Sequence, residues 1–209
     1  MNTYFVNGMG IHADSDRFIR EVLVGGEYKY LFKYDTVVDI GANIGTFSLW
    51  ILPYAKRIYA LEPNPVAMRL FEETIKGNHI EDRVTPLEIA ITGTDGDRYL
   101  ANTDGPEYGS GLINDKEGVV VHAMALDTFM AENKIEYIDL LKVDIEGCEV
   151  ELFSSPGFKN VANKIGTVLG EYHNGGMGKS IEGSLNGAGF KFEDISKANS
   201  SGKFIARKK

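Results

Sequence analysis

The sequence predicts an α/β fold, a mostly parallel sheet with helices on both faces, built as a single domain. Two observations carry this reading. Apolar runs of strand length alternate with segments of helical period, as βαβ units require. The first strong strand also runs directly into a glycine-punctuated turn and a helix. Consistent with one domain, no repeat, low-complexity run or Pro/Gly/Ser linker divides the 209 residues.

Tyr34–Ile40 is β-branched and apolar through its centre, the pattern of a strand buried on both faces. Gly41-Ala42-Asn43-Ile44-Gly45 follows as a turn, then the apolar helix start Thr46–Leu52, which Pro53 closes. Arg57–Glu62 is the second strand. The next helix, Asn64–Gly77, is marked at both ends: Asn64 N-caps, Pro65 suits the first helical position, and Gly77-Asn78 ends it. Val66, Leu70, Phe71 and Ile75 share one of its faces. A third strand is expected over Val84–Ile91 and weaker ones over Arg98–Ala101 and Val119–Ala123. A short helix capped by Asp127 is expected over Leu126–Lys134. Ile138–Asp144 repeats the buried-strand pattern and runs through Ile145-Glu146-Gly147 into a helix near Cys148–Phe153. Thr167–Tyr172 is a further strand. A helix over Ser180–Ala188 and two strands spaced as a closing hairpin, Phe190–Ile195 and Lys203–Arg207, complete the chain.

Composition narrows the function classes. Thirty Asp and Glu against 22 Lys and Arg give a net charge of −8, which repels a phosphate backbone and argues against a broad nucleic-acid binder. A single cysteine, Cys148, excludes an intramolecular disulfide and a Cys-rich zinc site. The N-terminus shows neither a basic leader nor an apolar core, and no apolar stretch reaches the roughly 18–20 residues of a membrane span. A cytoplasmic protein without membrane contact is therefore expected.

The central signal is Val37–Ser48, where a strand enters a turn that favours glycine. Gly41 permits the tight turn and close ligand approach, and Gly45 lets the helix pack closely. Glu62 stands 21 residues after Gly41, at the end of the next strand, where a carboxylate can accept hydrogen bonds from ribose hydroxyls. Asn43 replaces the middle glycine of the dinucleotide fingerprint, the residue that lets a pyrophosphate approach. That favours a nucleoside cofactor without a pyrophosphate, such as S-adenosylmethionine, over NAD or FAD.

Val37–Ser48, Glu62-Pro63-Asn64-Pro65, Lys142-Val143-Asp144-Ile145-Glu146-Gly147-Cys148-Glu149 and Glu171-Tyr172-His173 together resemble the FkbM family of S-adenosylmethionine-dependent methyltransferases, over residues 20–207. Lys142–Glu149 is the most specific piece, similar to the family's K-[IV]-D-[IV]-E-G-x-E block; Gly25-Gly26-Glu27-Tyr28 is a looser match to the segment before the first strand. The resemblance implies a class I methyltransferase fold, a Rossmann-like sheet of seven strands with an antiparallel closing strand. It implies S-adenosylmethionine as cofactor and methyl transfer to a hydroxyl of a sugar or secondary metabolite. It further implies that Asp39, Gly41, Asn43 and Gly45 line the methionine and ribose end, that Glu62 beside Pro63 holds the ribose, and that Ala90 and Ile91 form the adenine edge.

An alcohol is nearly neutral at pH 7, so a general base or a metal ion should help remove its proton. In an open α/β sheet the ligand crevice lies at the carboxyl ends of the strands. Asp144 with Glu146, and Glu171 with His173 and Asn174, fall there. His173 is the candidate base, weighed against a hydrogen-bonded structural histidine. Glu171 would orient it or bind the acceptor hydroxyl. Glu146 is the alternative base, or else stabilises the helix N-terminus after Gly147. Asp144 would hold the cofactor's amino group or a divalent ion. A metal-assisted variant would use Asp144, Glu171 and Asn174, but no compact ligand spacing is visible and no metal is assigned. Competing readings are a module that binds the cofactor without turnover and, less favoured, an NAD-dependent oxidoreductase. Residues 1–33 are a candidate cover for acceptor or cofactor, and the glycine-rich loops 104–111 and 174–178 are candidate lids.

Overall fold

The computed structural model describes residues 2–13, 33–101, 111–113, 118–173, 176–195 and 201–209. Gly25–Tyr28, Asn174, most of the 104–111 loop and the first half of the 174–178 loop lie outside the described residues.

The main sheet is built around Tyr34–Ile40 (β3). To one side lie Ala55–Leu61 (β4) and Val84–Leu87 (β5); to the other, Ile138–Val143 (β10) and Ile165–Tyr172 (β11). These five strands are parallel. Gly202–Lys208 (β13) inserts antiparallel beside β11, and Phe190–Asp194 (β12) forms the outer edge, giving the order β12-β13-β11-β10-β3-β4-β5. The expected seven strands and antiparallel closing strand are present. Pro86 lies in β5, an edge strand, where its missing N–H is tolerated.

Alternation along the strands divides the core. Val37, Ile58, Val84, Leu140 and Leu169 face the helices Thr46–Ile51 (α1) and Pro65–Gly77 (α2). Val38, Tyr59, Leu141, Val143 and Val168 face the opposite layer, made by Leu126–Glu132 (α3), Glu149–Ser154 (α4), Pro156–Val161 (α5) and Met177–Gly187 (α6). Helix α2 starts as its sequence signals indicate: the Asn64 side chain accepts from the Val66 and Ala67 amides behind Pro65.

Three features differ from expectation. The third strand ends at Leu87, whose carbonyl accepts from both Ile89 and Glu62 N–H groups and so redirects the chain. Ala90–Thr92 (β6) leaves for a second sheet with Gly96–Leu100 (β7), Leu112–Ile113 (β8) and Val119–Ala125 (β9), in the order β6-β9-β7-β8. Helix α3 is capped differently: Asp127 sits in its first turn, while Asp95 accepts from Ala125 N–H and from the Thr128 hydroxyl. Finally, Asn2–Val6 (β1) and Met9–Ala13 (β2) form an N-terminal hairpin that sequence reasoning missed. Its turn, Asn7-Gly8, has φ 51 and 80, the left-handed pair of a two-residue hairpin. Asn7 donates to the carbonyls of Leu49 and Trp50, and Asn78 exchanges two hydrogen bonds with Gly10, seating the hairpin on α1 and α2.

Candidate active site

Two loops at the carboxyl ends of neighbouring parallel strands meet: the glycine turn after β3 and the Asp144–Cys148 segment after β10. Their backbones touch. A Cβ at Gly41 would stand 1.8 Å from the Asp144 carbonyl oxygen, and Gly41 has φ 76, so only glycine fits. Gly45, at φ 86, abuts the Phe71 ring of α2, which a Cβ would reach at 2.0 Å. Asn43 between them is also left-handed, at φ 50, a conformation asparagine tolerates.

Lys142 ties the two loops together. Its Nζ donates to the Gly41 carbonyl at 2.8 Å and lies 3.2 Å from Asp39 Oδ1 and 3.7 Å from Asp144 Oδ2. Burial pushes the ammonium down, but Asp39, Asp144 and Glu171 outweigh it and hold the pKa above the ordinary value. Asp39 is wholly buried, and its other carboxylate oxygen accepts from the Ser48 hydroxyl at 2.7 Å. The carboxylate expected along the methionine and ribose end thus stands behind the turn and anchors it.

Glu62 lies at the end of β4 with 7% of its surface exposed. Its Oε2 accepts from Asn43 N–H at 2.9 Å and its Oε1 from Asn64 N–H at 2.8 Å. Burial pushes its carboxyl up to about 7, against the lowering effect of those two amides and Lys142. Pro63 is half-buried between Glu62 and the α2 cap. Ala90 and Ile91 pair with Ala123 and Met124 in the second sheet, and both side chains are buried in apolar clusters.

His173 follows β11 and meets the acidic loop directly. Its Nδ1 lies 3.1 Å from Glu149 Oε1, and its Nε2 lies 3.4 Å from both Asp144 Oδ1 and Glu146 Oε2. The Glu149 hydrogen bond and the surrounding carboxylates push the imidazole up to about 9, against the effect of burial. That shift favours the protonated ring, so His173 has to give up its proton before it can act as a base or offer Nε2 to a ligand. Glu171 does not orient it. Its carboxylate pairs with Lys203 of β13 at 2.9 Å, and burial, followed by Asp144, raises its pKa. The orienting residue is Glu149, which is wholly buried. Its Oε1 also accepts from Ile145 and Gly147 N–H groups at the start of α4, the stabilising role considered for Glu146. Glu146 is exposed and left-handed at φ 51. Burial pushes the Cys148 thiol up to about 11, which disfavours the nucleophilic thiolate.

Sequence reasoning thus assigned no role to Lys142 or Glu149, the two ends of the Lys142–Glu149 block. For Lys142 a signal was present, because a lysine inside a strand buried on both faces needs carboxylate partners.

The methyltransferase FkbM domain pattern matches residues 39–192, more than half of the chain. The chain belongs to the FkbM methyltransferase family. Within curated relatives, it is 26% identical to the hexuronic acid methyltransferase AglP of Haloferax volcanii over 172 residues, covering 82% of this chain and 69% of that one. It is 29% identical to the methyltransferase sdnD of Sordaria araneosa, over 74% of this chain and 73% of that one. A tRNA (guanine(37)-N(1))-methyltransferase, Trm5b of Methanocaldococcus jannaschii, is 31% identical over 56% of this chain but only 37% of its own length. Among solved structures, Trm5b from Pyrococcus abyssi superposes with a TM-score of 0.54 at 16% identity, over 98% of this chain and 55% of that one. The precorrin-6y C5,15-methyltransferase of Geobacter metallireducens gives 0.54 at 14%, over 92% and 88%. These two likenesses show the fold alone, a class I methyltransferase fold. The tRNA methyltransferases among the relatives mean that acidity alone does not exclude RNA. No helix among the described residues is long and apolar enough to cross a membrane.

Proposed function

We propose that this methyltransferase binds S-adenosylmethionine at the glycine turn and methylates a hydroxyl oxygen of a small neutral acceptor, a sugar or a secondary metabolite. The observation that carries the cofactor assignment is Glu62, a buried carboxylate fixed by the Asn43 and Asn64 amides beside that turn. Each of its oxygens accepts one amide hydrogen bond and keeps a further lone pair for a ribose hydroxyl. Gly41, Asn43 and Gly45 shape the turn on which the methionine end rests, Pro63 fixes the entry to α2, and Ala90 and Ile91 border the adenine.

Held by Glu62 and the Gly41–Gly45 turn, S-adenosylmethionine would supply an electrophilic methyl carbon to the acceptor oxygen, with S-adenosylhomocysteine as the leaving group. The chain supplies position and charge. Lys142 and Asp39 hold the turn rigid, and a nucleophile aligned with the methyl carbon accounts for much of the rate in such a transfer. The hydroxyl proton would pass to a carboxylate at the adjoining strand ends, Asp144 or Glu146, beside His173. That cluster, Glu171 beside it and the net charge of −8 suit a cationic sulfonium and a neutral alcohol better than a polyanion such as RNA.

Calorimetry with S-adenosylmethionine, S-adenosylhomocysteine and NAD tests the assignment. Both sulfur nucleosides are expected to bind and NAD is not. Failure of both sulfur nucleosides overturns the reading.

A further inference from the structure

Asp144, Glu146 and His173 come from two separate loops, yet their ligand atoms all lie within 4.8 Å of one another. From this convergence we infer a binding site for a divalent first-row transition-metal ion, with Glu149 fixing the imidazole. The inference deepens the proposed reaction, since the ion would sit where the acceptor hydroxyl is expected; binding of the ion itself is independent of that reading.

Spacing is the first support. His173 Nε2 lies 3.4 Å from a carboxylate oxygen of each acidic residue. Ligand atoms bound at about 2.0–2.2 Å to one tetrahedral or octahedral ion stand about 3–3.6 Å apart.

Ring orientation is the second. Glu149 holds Nδ1 and so leaves Nε2 turned toward Asp144 and Glu146. A carboxylate on the far nitrogen is the arrangement that fixes metal-binding imidazoles.

The third support comes from Glu149 itself. The residue is wholly buried, and its Oε2 has no hydrogen-bond partner among the described residues. A buried anionic oxygen without a donor is costly unless positive charge is near, and the imidazole held at Oε1 becomes more positively polarised when its far nitrogen binds an ion. Among the described residues, the linked carboxylates Asp39, Asp144, Glu146, Glu149 and Glu171 meet two lysines, Lys142 and Lys203, and an imidazole that becomes neutral when its Nε2 binds an ion. That balance of described groups is anionic and suits a dication.

The donor set selects the metal class. An imidazole with two carboxylates suits Mn²⁺, Fe²⁺ or Zn²⁺ better than Mg²⁺, which favours all-oxygen shells. Three protein ligands leave coordination positions open, and Glu146 is exposed at the mouth. An alcohol oxygen taking such a position would become a stronger acid, and its proton would leave to water or to the carboxylate oxygen of Glu146 that does not bind the ion. This ligand set replaces the one weighed from sequence, because Glu171 is held by Lys203.

Mn²⁺ titrated into the full chain and followed by electron paramagnetic resonance tests the site. One saturable site is expected, with nitrogen coupling from His173. Glu146→Gln and His173→Gln should each weaken binding at least about tenfold, and Glu149→Gln by about 10–100-fold. His173→Gln should also abolish the nitrogen coupling. Glu151→Gln, whose carboxylate instead pairs with Arg98, should leave Mn²⁺ binding unchanged. Because Glu146 is exposed, its variant is the one least exposed to misfolding. Absence of a saturable site, or affinity unchanged in both Glu146→Gln and His173→Gln, overturns the inference. S-adenosylhomocysteine calorimetry on the same samples separates the two claims. Nucleoside binding without Mn²⁺ binding overturns only the metal site; Mn²⁺ binding without nucleoside binding overturns only the cofactor assignment.

Discussion

Lys142 Nζ donates to the Gly41 carbonyl at 2.8 Å, so one buried cation holds the glycine turn to the strand that leads into the acidic loop. The same ammonium neutralises Asp39 and approaches Asp144. Lys142→Met leaves Asp39 buried without its counter-charge, a loss of about 3–5 kcal/mol for a buried pair. Chemical denaturation should show a midpoint shift of that order, and nucleoside affinity should fall with it.

Gly41→Ala tests the contact between the two loops. The added Cβ has no room against the Asp144 carbonyl, which is backbone and cannot rotate away. Gly45→Ala meets the Phe71 ring instead, a side chain already packed in the core. Both variants should be destabilised by more than about 1 kcal/mol on thermal unfolding, and Gly41→Ala should also lose S-adenosylhomocysteine binding.

Glu62 predicts a pH dependence. Its carboxyl is raised from 4.5 to about 7 because burial disfavours the charge. The folded chain then keeps a proton that the unfolded chain has released. This group's contribution to stability is full below pH 4.5 and is lost as pH rises through about 7. Glu62→Gln should therefore gain stability relative to the parent between acid and alkaline pH, by on the order of 3 kcal/mol. Ribose hydroxyls favour the ionised form, so nucleoside affinity should rise about tenfold from about pH 6 to about pH 8, and this rise should vanish in Glu62→Gln.

Asn78→Ala separates fold from site. It removes two hydrogen bonds to Gly10 and one to the Thr74 carbonyl, detaching β2 from α2. Stability should drop by about 1–3 kcal/mol with nucleoside affinity unchanged. An equal loss of affinity would mean that the hairpin shapes the cofactor crevice.

Local signals were legible in the sequence where they act over a few residues. The Asn64-Pro65 start and Gly77 end of α2, and the glycine turn after β3, follow from backbone chemistry alone. The break of the third strand at Leu87 was not legible, because it depends on a hydrogen bond from Glu62 across the sheet. The N-terminal hairpin carried its Asn7-Gly8 turn signal, but its short strands interrupted by Gly10 lack clean alternation. At the site, residue types were readable and their partners were not. Glu171 and His173 are two apart in sequence, yet antiparallel register sets Glu171 opposite Lys203, while His173 turns to Glu149. Long-range register decides such pairings, and no short window of sequence contains it.

The most direct test of the central claim is transfer of a labelled methyl group from S-adenosylmethionine to sugar and secondary-metabolite acceptors, followed by alkaline hydrolysis of the product. The expected product is an alkali-stable methyl ether on a hydroxyl oxygen, formed with release of S-adenosylhomocysteine. Label found only in an alkali-labile methyl ester, or only in tRNA, would contradict the account.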